Sequence, residues 1–225
     1  VVTSEESQEI LIKSANDLIS LENPNYQYAA ARLLLYGLHK KVYMKYEHDS
    51  LTTIIDRNIE RGVYDANVKE KYTDTELKKM NTWLKHDRNE EFTYAGLRQV
   101  VDKYLCQDRS NGNIYETPQF MYMMIAATLF ANYPKETRLS YVKKYYDATS
   151  LFKINIPTPV MAGVRTPIRQ FASCVLVDVD DTLSSIFSSN SAIGYYIAQR
   201  AGIGINSGRT RAINSKIRGG EVAHT

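Results

Sequence analysis

Between Pro157 and Leu183 the chain reads PTPVMAGVRTPIRQFASCVLVDVDDTL, and the residue types that do chemistry crowd into it. Arg165 and Arg169 bring two cations, Ser173 and Cys174 a hydroxyl beside a thiol, and Asp178, Asp180 and Asp181 a terminal run of carboxylates. Pro157, Pro159 and Pro167 fix φ and disfavour helix, so a rigid loop is expected there, forming the wall of a site. Val175-Leu176-Val177 reads as a buried strand with the hydroxyl and thiol at its mouth. Cys174 then has two readings. It is a small packing residue at a strand start, the commoner use of an unpaired cysteine, or it is a redox thiol. The second reading needs another thiol with its Cα roughly 4.4–6.8 Å away. The chain has only 2 cysteines, and Cys106 falls in a separate hairpin where it reads as packing, so a redox partner is missing from this sequence.

A second constellation lies further on. From Arg200 to the end stand Arg200, Arg209, Arg211, Lys216 and Arg218, with Glu221 as the acid among them. Arginine grips phosphate bidentately, although a solvated basic tail explains the same charges. Asp181-Thr182 suits a helix N-cap; alternatively Asp181 accepts from ribose hydroxyls while Arg211 and Arg218 hold phosphates. Gly202-Ile203-Gly204 follows a helix and opens a strand, the reverse of a dinucleotide fingerprint, but it lets a ligand approach the backbone. His39, His48, His86 and His224 show no ligand spacing, so no metal site is expected. A phosphate-binding Gly-Lys-Ser/Thr motif is absent.

The elements that position these groups fall into two regimes. Helices are expected over 3–20, with a Thr3/Glu6 capping box, then 26–46, 49–61 stopped by Gly62, 66–72, 74–84 and 93–104. Asn111-Gly112 marks a hairpin turn within 104–115. Thr117-Pro118 opens an apolar helix to Phe130, and another runs from Pro134 to about Ala148. After Thr149 the pattern alternates: strand 153–156, the proline loop, strand 173–179, helix 182–201, strand 203–206. Leu183, Ile186, Asn190, Ile193 and Ile197 step by 3 and 4 residues, the seam of a paired helix, although two heptads also suit a plain core helix.

With 225 residues, 44% hydrophobic and 24% charged, the chain is long enough for a sizeable core in one or two domains. A net charge of +3 is too small to argue for nucleic acid. No apolar run reaches transmembrane length, and the polar, acidic start is unlike a signal peptide. The 17 tyrosines mostly sit at helical spacing beside Leu, Ile and Ala, where packing is the default.

PTPVMAGVRTPIRQFASCVLV, RAGIGIN and IRGGEVAHT resemble the large (α, catalytic) subunit of class I ribonucleotide reductase, of the enterobacterial and T-even-phage kind. The likeness continues upstream through NPNYQYAAARLL, HDRNEEFTYAGL, GNIYETPQFMYM and NYPKETRLSYVKKYYDA. It implies a mixed α/β fold: a mostly helical N-terminal region, then the first strands and helices of a ten-stranded α/β barrel completed elsewhere. Residues 1–46 would be an ATP-cone remnant and linking helix, 47–150 a helical domain with its hairpin near 104–115, and 151–225 the start of the barrel with a dimer helix at 182–201.

The resemblance also implies roles. Cys174 matches the first member of the reducing cysteine pair. Thr158, Ser173, Ala201 and Gly202 match substrate contacts. Asp181, Leu183, Arg211, Ile217 and Arg218 match the specificity site for a deoxynucleoside triphosphate or ATP, at the α–α interface. Ser4 and Lys40 match ATP-cone positions. Ribonucleoside diphosphates would be reduced with a radical supplied by a diiron β subunit and with thioredoxin or glutaredoxin as reductant; no cofactor or metal is expected in this chain itself. The partners implied are the remainder of the subunit (or a second polypeptide that completes a split one, the preferred expectation), a second α copy and β, with neither nucleic acid nor membrane. The place implied is the cytoplasm, of a bacterium or of a phage's host. The alternative is a non-catalytic nucleotide-binding and dimerisation module, which has no need of Cys174.

Overall fold

The computed structural model describes residues 2–45, 47–199, 201–217 and 221–222. They divide into two units, residues 1–169 and 170–225.

The first unit is helical. α1 (Ser4–Asp17) starts from Thr3, whose side chain accepts from the Glu6 N–H while Glu6 returns to the Thr3 backbone, the capping box expected. α2 (Tyr26–Tyr43), α3 (Leu51–Glu60), α4 (Asn67–Lys71) and α5 (Asp74–Trp83) follow. α3 ends at a glycine for a stated reason. Gly62 has φ +68°, and the N–H groups of Gly62 and Val63 return to the Ile59 and Asn58 carbonyls, the left-handed closure of a Schellman motif. A 3₁₀ segment (His86–Glu91) leads to α6 (Tyr94–Gln99), which continues as a π turn (Val100–Tyr104). β1 (Gln107–Asp108) pairs antiparallel with β2 (Asn113–Ile114) around Gly112 at φ +74°.

The core of this unit is α7 (Pro118–Phe130). Every residue from Pro118 to Ala127 is buried, so its sequence is apolar all round rather than striped. Leu51, Ile54, Ile55, Leu77, Met80, Leu97 and Val142 are fully buried members of the same cluster. The amide that α7 takes inward is paired at both atoms: Tyr146 donates to Gln119 Oε1 at 2.7 Å, and Gln119 Nε2 donates to Asn89 at 3.0 Å.

Two expectations fail just beyond. α8 (Lys135–Ser150) ends with Phe152 at φ +56°, and the Lys153 and Ile154 N–H groups both return to the Ala148 carbonyl. A Schellman closure without glycine therefore uses the donors that a strand at 153–156 would need, and no strand forms there. The proline stretch is not a loop throughout either. Pro157 is the N-cap and Pro159 lies in the first turn of α9 (Thr158–Gly163), where a missing N–H costs nothing and a fixed φ helps.

The second unit is a β–α–β arrangement. β3 (Cys174–Asp178) and β4 (Gly202–Asn206) pair in parallel across α10 (Leu183–Ala198), with Cys174 opposite Gly202, Leu176 opposite Gly204 and Asp178 opposite Asn206. β5 (Lys216–Ile217) and β6 (Glu221–Val222) make a short antiparallel pair. The barrel is not closed by these strands. The face of β3 that carries Cys174, Leu176 and Asp178 is exposed, Leu176 by 86%, whereas parallel sheets are ordinarily covered on both sides. The buried strand expected at 175–177 is thus half-buried on one side, at Val175 and Val177, and exposed on the other.

Candidate functional site

Cys174 is the first residue of β3 and its side chain is exposed. The strand pairing sets what surrounds it. Gly202 lies opposite and donates its N–H to the Ser173 carbonyl at 2.9 Å. A Cβ on Gly202 would stand 3.4 Å from the Cys174 sulfur, in van der Waals contact with it, so Gly202 directly adjoins the thiol. The Ser173 hydroxyl lies 4.0 Å from that sulfur, and Ala201, next to Gly202, is buried. The structure therefore brings together Ser173, Cys174, Ala201 and Gly202. Cys174 is exposed in this chain, on the same face of β3 as Leu176. Cys106 is the opposite case: it is buried, and burial pushes its thiol well above the usual range, which leaves it inert as a nucleophile.

At the other end of β3 the acids find arginines. Asp181 pairs with Arg211 Nε at 2.7 Å and also accepts the Arg211 backbone N–H at 3.2 Å. The Arg211 side chain is the first cause of the lowered Asp181 carboxyl. Arg209 bridges Asp178 and Asp180 at 3.5 and 3.2 Å, and Asn206 donates to Asp178 at 2.8 Å. The N-cap of α10 is Thr182, whose hydroxyl accepts from the Ser185 N–H, so Asp181 is left to Arg211. Leu183, the first residue of α10, is 72% exposed. Of the seam on α10, Leu183, Asn190 and Ile197 are exposed, while Ile186 and Ile193 are half-buried. Ile217 is half-buried in β5. Arg218 lies outside the described residues.

In the first unit Thr158 opens α9, with its hydroxyl 3.4 Å from the Tyr104 hydroxyl. Ser4 and Lys40 meet as well, the ammonium 3.5 Å from the serine oxygen. The two arginines of the proline stretch both have acidic partners. Arg165 is fully buried against a fully buried Glu116, and Arg169 pairs with Asp65. Glu116 also accepts from the Tyr64 hydroxyl and, at 2.7 Å, from the Cys106 N–H. The sequence reading singled out neither Glu116 nor Tyr104; a glutamate directly before the apolar α7 was the one visible signal.

Three of the four histidines gather despite their spacing. His48 stacks on His86 with ring centroids 3.8 Å apart, and His39 meets His48 edge-on at 4.9 Å. Burial lowers His39 to about 4 and His86 to about 3. Among the described residues no group of three or more His, Cys, Asp or Glu is placed to hold a metal ion. Also among them, no helix is long and apolar enough to cross a membrane.

Residues 90–169 match the family model of the ribonucleotide reductase all-alpha domain, and residues 172–225 that of the ribonucleotide reductase barrel domain. The chain is 52% identical over 224 residues to the ribonucleoside-diphosphate reductase 1 subunit alpha of Escherichia coli (strain K12), covering 100% of this chain and 29% of that protein. It is 50% identical to the corresponding alpha subunit of Haemophilus influenzae and 46% identical to that of Enterobacteria phage T4, with 30% of each relative covered. The chain thus spans about 29% of the length of the curated relatives it matches.

Proposed function

The chain belongs to the ribonucleotide reductase large-subunit family, and we propose on that ground that it is the N-terminal part of a ribonucleoside-diphosphate reductase α subunit. Completed by the rest of the barrel, it reduces ribonucleoside diphosphates to deoxyribonucleoside diphosphates in the cytoplasm. Residues 1–46 then form the linking region with Ser4 and Lys40, 47–150 the helical domain, and 151–225 the first part of the barrel. A β subunit supplies the radical, and thioredoxin or glutaredoxin restores the thiols.

The observation that carries this reading is the exposed thiol of Cys174, with Gly202 opposite it in β4. Cys174 and a second thiol from the remainder of the subunit each give up one hydrogen, and a disulfide forms between them. The ribose 2′-carbon loses its hydroxyl as water and gains hydrogen. Ser173, Ala201 and Gly202 line the thiol's side of the substrate, and Thr158 is assigned a substrate contact of its own. Asp181, Leu183, Arg211, Ile217 and Arg218 take a deoxynucleoside triphosphate or ATP, and the exposed seam of α10 pairs with a second α copy.

The test is Cys174→Ser in the completed subunit with its radical partner. Turnover of a ribonucleoside diphosphate should vanish while triphosphate binding and thermal unfolding stay as in the parent. Undiminished turnover would overturn the catalytic reading. A second reading, a nucleotide-binding and dimerisation module without chemistry, rests on the Asp181–Arg211 pair and the exposed α10 seam. It stands if the completed complex binds triphosphate and dimerises but never reduces a diphosphate.

A further inference from the structure

Thr158 is held by more than its own helix. Its hydroxyl faces the Tyr104 hydroxyl at 3.4 Å, and both residues are half-buried. Tyr104 ends the π turn that follows α6, 54 residues away in sequence from Thr158. One guanidinium ties the two segments together. Arg165 donates to the Tyr104 carbonyl at 2.8 Å through Nη2 and to the Met161 carbonyl at 2.5 Å through Nη1. Met161 lies in α9 just after Thr158. Arg165 is in turn aimed by Glu116, which takes its Nε at 2.9–3.0 Å. Glu116 has its remaining capacity filled by Tyr64 and the Cys106 N–H. A planar donor fork inside a core whose three nitrogens all donate has one orientation.

We infer that Tyr104 is a positioning residue for Thr158, fixed by the buried Glu116–Arg165 pair so that its hydroxyl aims the threonine hydroxyl at the substrate. The inference rests on the substrate role proposed for Thr158. A contact of 3.4 Å is longer than a formed O–H···O bond of about 2.7 Å, and such contacts in ligand-free sites tighten when the ligand is bound. The threonine hydroxyl rotates freely and both donates and accepts. With Tyr104 donating to it, its own proton is committed to the ligand. The ligand is then an acceptor, such as a diphosphate oxygen of a ribonucleotide.

The test uses the completed α subunit with its radical partner and cytidine diphosphate as the varied substrate. Thr158→Val should raise KM about tenfold. Tyr104→Phe should raise KM two- to tenfold, as for one lost hydrogen bond, with kcat within twofold and an unchanged thermal midpoint. The double variant should be no worse than Thr158→Val alone. Thr158→Ser keeps the hydroxyl and should hold KM near the parent value, but not when combined with Tyr104→Phe. If Thr158→Val raises KM and Tyr104→Phe does not, or if the two effects multiply, the positioning role is overturned while the substrate role stands. If Thr158→Val leaves KM unchanged, the substrate role itself falls and the positioning role with it.

Discussion

The Arg165 guanidinium and the Glu116 carboxylate are in contact with neither side chain exposed to solvent, 49 residues apart in sequence. A buried pair of this kind gives little net stability over apolar residues of equal volume, but losing one partner strands a charge. Glu116→Gln should therefore cost about 3–5 kcal/mol, a large part of the 5–15 kcal/mol (roughly) that holds a domain together. Urea unfolding followed by circular dichroism measures it. Glu116→Leu combined with Arg165→Met removes both charges but leaves the Tyr64 hydroxyl and the Cys106 N–H without their acceptor, so it should recover only part of the loss; a double variant less stable than Glu116→Gln would refute this account of the pair.

The histidine cluster should make the first unit acid-sensitive. His39 and His86 ordinarily titrate near 6.5 and are lowered to about 4 and about 3, first by burial and then by their neighbouring imidazoles, with Asp87 opposing at His86. Tyr43 and Phe120 pack on the rings and give no charge relief. His39 Nε2 and His86 Nδ1 are buried with no hydrogen-bond partner among the described residues. With folded values below the unfolded ones, the unfolded chain takes protons first. The stabilisation is complete above about pH 6.5 and drains away as pH falls toward 4 and 3. The urea midpoint should drop between pH 7 and pH 4, and His86→Gln should flatten that drop. An equal slope in both proteins would show that the cluster does not titrate as described.

Glu76 adds a separate, more acidic step. Its carboxyl is lowered from 4.5 to about 2, chiefly by the hydrogen bonds from Arg138, which reach it at 2.8 and 2.5 Å. The contribution is present above pH 4.5 and is lost as pH falls toward 2. Glu76→Gln keeps an amide oxygen for the capping box at Thr73 and removes the charge, so its stability should lie below the parent's at pH 7 and converge with it near pH 2. A constant gap across that range would assign the effect to capping alone.

What the sequence made legible was local. Thr3 with Glu6, Gly62 and Thr117-Pro118 carry their meaning within a few residues, and those helix ends lie where they were expected. The misses come from two sources. A left-handed Phe152 closes α8 without the usual glycine, and Pro157 and Pro159 start a helix that prolines seemed to forbid. The other source is distance along the chain. Nothing local joins Glu116 to Arg165, or His39 to His86. Cys174 shows the limit for the site. Val175-Leu176-Val177 looks buried because it is apolar, yet Leu176 faces outward from β3 beside the thiol, and only the open sheet face reveals it.

Two glycines separate conformation from space. Gly62 needs its φ of +68° and has open room around it, so Gly62→Ala should cost about 1–2 kcal/mol through backbone strain alone. Gly204 has ordinary φ, but a Cβ there would come within 2.7 Å of Leu176 Cδ2. That atom ends a flexible side chain 86% exposed and can swing away. Gly204→Ala should shift stability of this chain by less than about 0.5 kcal/mol. Thermal unfolding of both variants settles the order, and a larger loss at Gly204 would mean that Leu176 is pinned.

The effector proposal makes its own demand on Arg211. Its guanidinium is paired with Asp181, so a triphosphate must draw it away or share it. Charge-assisted bonds of this kind contribute about 1.5–3 kcal/mol, which corresponds to roughly 10- to 150-fold in affinity. Arg211→Gln in the completed subunit should weaken deoxynucleoside triphosphate binding by at least tenfold, read by equilibrium dialysis. Asp181→Asn separates two roles for the acid. If Asp181 serves chiefly to restrain Arg211, its loss releases the arginine and triphosphate binds more tightly. If it accepts from the ribose hydroxyls, as proposed, its loss weakens binding, and weakens a ribonucleotide or deoxyribonucleotide triphosphate far more than inorganic triphosphate. Equal weakening of all three would place the effect on the phosphates and remove the ribose contact from the proposal.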